Sequence, residues 1–109
     1  MENYLIVDEE TNNNIKNGTN RLYRLFDSRE RAIQGGDIIT LKNDKQSIKV
    51  EVIRMSIFKY FKDMYNEYYN LDFKDKYSSI KEILDKTYTL YTKEEEELLG
   101  CVVFEIKLV

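Results

Sequence analysis

The hydrophobic period of this chain changes twice. Between Ser47 and Val52 it is two, with Ile48, Val50 and Val52 facing one way and Lys49 and Glu51 the other, as in a half-buried strand. From Ser56 it becomes helical, with Ile57, Phe61, Met64 and Tyr68 on one stripe. Alternation returns at the carboxyl end, where Val102, Phe104, Ile106 and Leu108 oppose Glu105 and Lys107. Strands on either side of a helical block make an α+β chain. Its 109 residues fit one domain, residues 1–109, with one core and a monomer as the expected state.

The remaining elements follow from local chemistry. Tyr4-Leu5-Ile6-Val7 is a short apolar run that predicts a buried strand. Asp8 is placed as an N-cap with Glu9 and Glu10 in the first turn, and that helix runs to about Lys16 with Gly18 as its left-handed stop. Asn12-Asn13-Asn14 weakens it, leaving Ile15 as its clear anchor. Arg21 to Phe26 predicts a strand, Ser28 to Ile33 a turn or two of helix. Ile38–Lys42 and Ser47–Met55 pair through a tight loop at Asn43-Asp44. The phase slip at Ile53-Arg54 predicts a bulge or bend. Asn70 to Ser78 is a polar connection anchored by Phe73 and Tyr77. Ser79 with Glu82, and Thr92 with Glu95, are in capping-box register. Gly100 ends the last helix. Glu94 to Glu97 are expected to favour the start of that helix rather than to bind metal.

Composition removes several functions. There is no histidine and one cysteine, Cys101, so a Cys/His zinc site, a Ser-His-Asp triad, a Cys-His dyad and an internal disulfide are excluded. No metal or cofactor is expected. Cys101 has no basic neighbour in sequence to activate it and is expected to be structural. No apolar run approaches the ~18 residues of a membrane span, and the first ten residues lack the basic n-region of a signal peptide; a cytoplasmic location is the expectation. The net charge of −3 argues against a broad duplex binder. The acidic excess lies in the second half, with eight basic and eleven acidic residues from 55 to 109, against nine of each before it.

That distribution leaves room for a local basic face, and four of the five arginines fall within Lys16–Lys42: Arg21, Arg24, Arg29 and Arg31. Arg recognises phosphate or carboxylate through a planar fork, whereas Lys acts as a point charge. The bland alternative is that these side chains are solvated or paired with Asp27 and Glu30. Arg24 is the sharpest case, because it shares a strand face with Leu22 and Phe26. A charge there needs a carboxylate, such as Asp27 or Glu105, or an anion in a cleft; the cleft is the expectation. Seven of the nine tyrosines lie between Tyr60 and Tyr91. They suit stacking on bases, but their spacing places them first in the core.

The ordered set of Ile15-Lys16-Asn17-Gly18, Arg24-Leu25-Phe26-Asp27-Ser28-Arg29-Glu30-Arg31, Gly36-Asp37-Ile38-Ile39, Val50 and Val52, a helix beginning near Phe58, and Tyr91-Thr92-Lys93-Glu94-Glu95-Glu96 before Val102-Val103-Phe104-Glu105-Ile106 resembles the ASCH branch of the PUA-like superfamily over nearly the whole chain. The resemblance implies a small pseudo-barrel of mixed strands with helices packed across its open side. It also implies recognition of RNA or a nucleotide in a cleft beside the helix ending near Gly18. Carried onto this chain, single-stranded RNA or a nucleotide would meet Lys16, Asn20, Arg21, Tyr23, Arg24, Arg29 and Arg31. Phosphate would fall to the arginines, stacking to Tyr23 and a base edge to Asn20.

One branch of the family hydrolyses N-acetylated cytidine with a Lys, a Thr and a Glu. Here Asn20 and Tyr23 stand in the Lys and Thr positions, and Glu67 is one candidate among several for the Glu. Asn cannot act as a base, and Arg21 is effectively never deprotonated. The catalytic residues are therefore unknown, and two alternatives stay beside the binding module: an enzyme on modified nucleosides or RNA, and a protein-interaction domain. The chain is expected to show no appreciable hydrolysis of N-acetylated cytidine in a chromatographic assay. Turnover that survives Arg21→Ala would show that the missing groups come from elsewhere in the chain.

Overall fold

The computed structural model describes residues 3–109; the first two residues, part of the amino-terminal reading above, lie outside them. Five strands form one sheet: β1 (Asn3–Ile6), β2 (Arg21–Leu25), β3 (Ile38–Lys42), β4 (Ser47–Phe58) and β5 (Cys101–Leu108). The helices are α1 (Glu9–Lys16), α2 (Ser28–Arg31), α3 (Phe61–Tyr68), α4 (Ile80–Thr87) and α5 (Lys93–Leu99), with a π-helical turn, Tyr69–Phe73, directly after α3. The sheet order is β1-β3-β4-β5-β2, with β1 parallel to β3 and every other pair antiparallel. The fold is α+β, a sheet curled into a half barrel with helices packed across it.

The core has two parts, one on each face of the sheet. Leu5, Leu22, Ile39, Val50, Val52, Val102 and Phe104 join Ile15 of α1 on one face. Leu25, Cys101 and Val103 meet Phe61, Met64 and Tyr65 of α3 and Ile83 of α4 on the other. The first half of β5 is thus buried on both sides. The alternation at the carboxyl end shows only one of those faces, because Cys101 and Val103 are as apolar as their neighbours.

Local signals hold where they are backbone chemistry. Asp8 accepts from the Thr11 N–H at 2.8 Å and caps α1, and Gly18 has φ +111, a conformation that side chains disfavour. Thr92 and Glu95 form the reciprocal capping box of α5. Ser79 caps α4, but the Glu82 carboxylate turns to Ser78 instead of returning to the cap residue. The slip at Ile53-Arg54 is a register shift between Val52 and Arg54.

Four expectations need correction. β4 runs on to Phe58, paired with Cys101, so Ile57 is a strand residue and the helix starts at Phe61 rather than near Phe58. Asn12 is fully buried and donates to the Leu41 carbonyl at 3.3 Å, so α1 has a polar anchor besides Ile15. The polar connection after Asn70 begins inside the π-helical turn. Glu96 stands in the first turn of α5, but its carboxylate makes its hydrogen bonds to other elements. It is buried, accepts from the Phe61 N–H at 2.6 Å and from the Tyr88 hydroxyl at 2.7 Å, and so caps α3 from across the second core.

The half barrel leaves β1 and β2 as its two edges, and a side chain bridges them. Arg24 on β2 donates from Nε to Glu30 Oε2 at 2.8 Å and from Nη1 to the Ile6 carbonyl of β1 at 2.9 Å. The Glu30 side chain is 5% exposed and that of Arg24 19%. Removing one partner of a fully buried pair costs ~3–5 kcal/mol, because the other is left unpaired. With Arg24 partly exposed, Arg24→Ala is expected to cost about 2–4 kcal/mol in denaturant unfolding. Adding Glu30→Gln should recover part of that loss in a double-mutant cycle.

Candidate functional site

The pleat of β2 sends successive side chains to opposite faces, so Arg21 and Arg24, three residues apart on it, face different ways. Arg21 and Tyr23 face a cavity of about 280 Å³, whose rim includes Asp8, Thr19, Asp72 and Lys86. It runs along α1 from its cap residue Asp8 to Ile15, between that helix, β2, the π-helical turn and α4. Arg24 faces the other way, into a separate hollow of about 200 Å³ with Ser28, Arg29 and Tyr91.

The other predicted residues scatter. Arg29 donates to the Tyr4 hydroxyl at 2.6 Å with its guanidinium 4.1 Å from the centre of that ring, which ties α2 to β1. Arg31 donates to the carbonyls of Phe26 and Leu99 at 3.0 and 2.9 Å and lies over the Phe26 ring. It thereby satisfies a carbonyl at the end of α5, as a cation there should. Lys16 reaches Gln46 Oε1 at 2.6 Å, on the loop between β3 and β4. Asn20 is exposed; its side-chain oxygen is 3.5 Å from Arg21 Nη1, and its backbone carbonyl accepts from the Ile106 N–H. Of the seven, then, Arg21 and Tyr23 line the cavity together, with Asn20 beside them.

Asp72 organises this pair. Arg21 Nη1 lies 3.2 and 3.4 Å from its two carboxylate oxygens, and the Tyr23 hydroxyl donates to Oδ2. The Tyr23 ring packs against Phe73, Tyr68 and Tyr65, with centroids 4.8, 5.8 and 6.2 Å away. Nothing local separates Asp72 from Asp75 in the sequence. Only the π-helical turn aims one of them back at β2.

The cavity is not basic. Asp8, Glu10 and Asp72 face Arg21, Lys76 and Lys86 around it, so the formal charges cancel. Its displaced titrations move away from neutrality. Burial, reinforced by the hydrogen bond to Asp72, pushes the Tyr23 phenol well above its ordinary value. The hydrogen bond with Tyr77 raises Lys86, helped by Glu10 and Asp8. The Thr11 hydrogen bonds lower Asp8. On the cavity wall, burial pushes Tyr65 up to about 12; its hydroxyl meets Thr87 Oγ1 at 2.7 Å, and Thr87 donates onward to the Ile83 carbonyl. Burial also pushes the Cys101 thiol up to about 12, which leaves it a poor nucleophile near neutrality.

No family model and no curated protein matches the chain. The chain is similar to the hypothetical protein PH0355, known from a crystal structure, with 29% sequence identity, a TM-score of 0.88 and 100% of each chain covered. It is also similar to Protein PF0455 from Pyrococcus furiosus, known from a solution NMR structure, with 28% identity, a TM-score of 0.77, and 100% of this chain and 98% of that one covered. Among the described residues no helix is long and apolar enough to cross a membrane.

The raised phenols make stability fall in alkali. A phenol whose folded value exceeds its unfolded value of ~10 keeps its proton in the folded state while the unfolded chain releases it. The stabilisation is complete below pH ~10 and is lost as pH rises from there towards the folded value, about 12 for Tyr65. Denaturant midpoints are expected to be level from pH 8 to ~9.5 and to drop steadily by pH ~11. Tyrosinate absorbance should show Tyr23 and Tyr65 ionising after the exposed tyrosines.

Proposed function

We propose that this chain is a binding module for one nucleotide unit, free or within single-stranded RNA, and that it belongs to the ASCH branch of the PUA-like superfamily. The observation that carries the reading is the cavity along α1, where Arg21 and Tyr23 stand on one wall with aromatic side chains around them. A guanidinium suits the phosphate and aromatic faces suit a base. The volume, about 280 Å³, lies just below the ~300–1,000 Å³ typical of small-ligand pockets. It fits a single unit rather than a tract. Balanced charge around the rim favours a local contact over a groove that tracks a backbone.

The titrations support binding over proton-transfer chemistry. Lys86 and Tyr23 are both displaced so as to keep their protons, whereas a general base works best with a value near the operating pH. In this reading Arg24, Arg29 and Arg31 hold the scaffold and Arg21 meets the ligand.

The test is titration of the protein with nucleoside monophosphates and with a short single-stranded RNA at two salt concentrations, followed by amide chemical shifts. Shifts should cluster on Thr19–Tyr23 and Asp72–Tyr77, and Arg21→Gln should weaken binding by about 1–3 kcal/mol. Absence of binding of either ligand at low salt would overturn the proposal.

A further inference from the structure

The cavity contains an anion already, and it belongs to the chain itself. Asp72 holds the Arg21 guanidinium that the nucleotide reading assigns to phosphate. We infer that the Asp72 carboxylate is an internal stand-in for the ligand's phosphate, latched onto Arg21 and Tyr23, and that a phosphate monoester displaces it together with the π-helical turn that carries it. This rests on the nucleotide reading of the cavity and adds its regulation.

Three observations carry the latch. The first is the imperfect match between Arg21 and Asp72. A strong guanidinium–carboxylate pair uses two parallel N–H···O bonds. Here Nη1 alone reaches both oxygens, at 3.2 and 3.4 Å. Nε is buried without a hydrogen-bond partner among the described residues and lies 3.9 Å from Glu105 Oε1. A phosphate with three oxygens could take more of the fork than Asp72 does.

The second is the segment that presents Asp72. The turn Tyr69–Phe73 is π-helical, with the Lys74 N–H donating to the Tyr69 carbonyl at 2.8 Å. Such turns are rare and concentrate at functional sites. It contains no buried residue, and Leu71 is 64% exposed. Besides Asp72 it is tied down by the Phe73 ring and by the Tyr69 hydroxyl on the Tyr77 carbonyl, at 2.6 Å. Tyr69 and Phe73 pack against the second core only partly buried, and a segment without a fully buried residue opens at lower cost than the core elements.

The third is electrostatic. A phosphate on Arg21 would lie within a few ångströms of the Asp72 carboxylate, and like charges that close repel strongly in a partly desolvated site. Arg21 keeps a second support when Asp72 leaves, because its guanidinium lies 5.5 Å from the centre of the Tyr68 ring. The guanidinium therefore stays in place for the incoming anion.

Calorimetric titration of adenosine and uridine 5′-monophosphates, with the two nucleosides as the phosphate-free arm, tests the latch on wild type, Asp72→Asn and Tyr23→Phe. Asp72→Asn keeps the size and one acceptor of the side chain but removes its charge. It is expected to bind the monophosphates about fivefold or more tighter than wild type, with a smaller change in nucleoside affinity. Tyr23→Phe keeps the ring and Arg21 while dropping one tie on Asp72. It should give a smaller gain in the same direction, and it decides the matter if Asp72→Asn does not fold. Amides from residue 69 to residue 76 should exchange faster in Asp72→Asn, and faster in wild type once monophosphate is bound. Equal or weaker monophosphate binding by both variants, with wild type binding, overturns the latch and leaves the nucleotide reading standing. A larger loss for nucleosides in Asp72→Asn would mean that the carboxylate reads base N–H groups, which also overturns it. Failure of all three proteins to bind any of the four compounds overturns both readings.

Discussion

The bond from Arg24 to Glu30 and the Ile6 carbonyl holds a place that a sixth strand would fill in a closed barrel. Among the described residues, β1 has four and pairs only with β3, and β2 pairs only with β5. Each has one edge outside the ladder, and such edges must be covered or paired. A single arginine reaches from one to the other, and the carboxylate that neutralises it comes from α2, which lies between β2 and β3 in sequence. A buried carboxylate is expensive without a partner, so the pair also fixes α2 against the seam. Arg29 on Tyr4 repeats the tie with a second residue of the same helix. The arginines that most resembled a ligand face are thus mostly the closure of the sheet.

The second half is docked by a different buried carboxylate. The start of α3 follows Tyr60, which offers no side-chain cap, and unpaired N–H groups at a helix start need an acceptor. Glu96 supplies it from α5, while Gly100 lets the chain turn directly from that helix into β5. At Gly100 φ is +73, and a Cβ would sit 2.9 Å from the Phe58 carbonyl oxygen, so only glycine fits between β4 and the last helix. The helices are fixed in this way over one half of β5. The cavity lies where that helical layer meets α1, so its walls come from both halves of the sequence.

Much of the fold was legible because it rests on local rules. Asp8, Gly18, the Thr92–Glu95 box and the slip at Ile53-Arg54 are each backbone accounting within a few residues, and the structure has them all. The failures lie where partners are distant or where two periods fit at once. Ile57 and Phe58 suit a strand as well as the helical stripe running to Tyr68, and pairing with Val102 and Cys101 decides for the strand. Glu96 is a first-turn acid of α5, but its partners Phe61 and Tyr88 are on other elements and left no local signal. The π-helical turn has no sequence rule to announce it, and so Asp72, which organises the cavity, carried no signal.

Residue type alone ranked Arg21, Arg24, Arg29 and Arg31 together, yet the structure divides them by a rule as simple as the pleat. Odd and even positions of β2 face different cores: Tyr23 and Leu25 join the aromatic layer, while Leu22 and then Phe26 just beyond the strand join the other. Arg24 follows the even positions into a layer closed by α2, where a carboxylate and a carbonyl already wait. Arg21 follows the odd ones to the place where the aromatic layer ends and a cavity begins. There its carboxylate partner arrives from a weakly held turn rather than from a packed helix. The same guanidinium, about equally covered at the two positions, is scaffold at one and lines the cavity at the other, and what separates them is how firmly the opposing anion is anchored. Glu30 is buried on a helix clamped to the sheet edge; Asp72 stands on a turn without a buried residue. An incoming anion can compete only with the second, which is why the candidate site centres on Arg21.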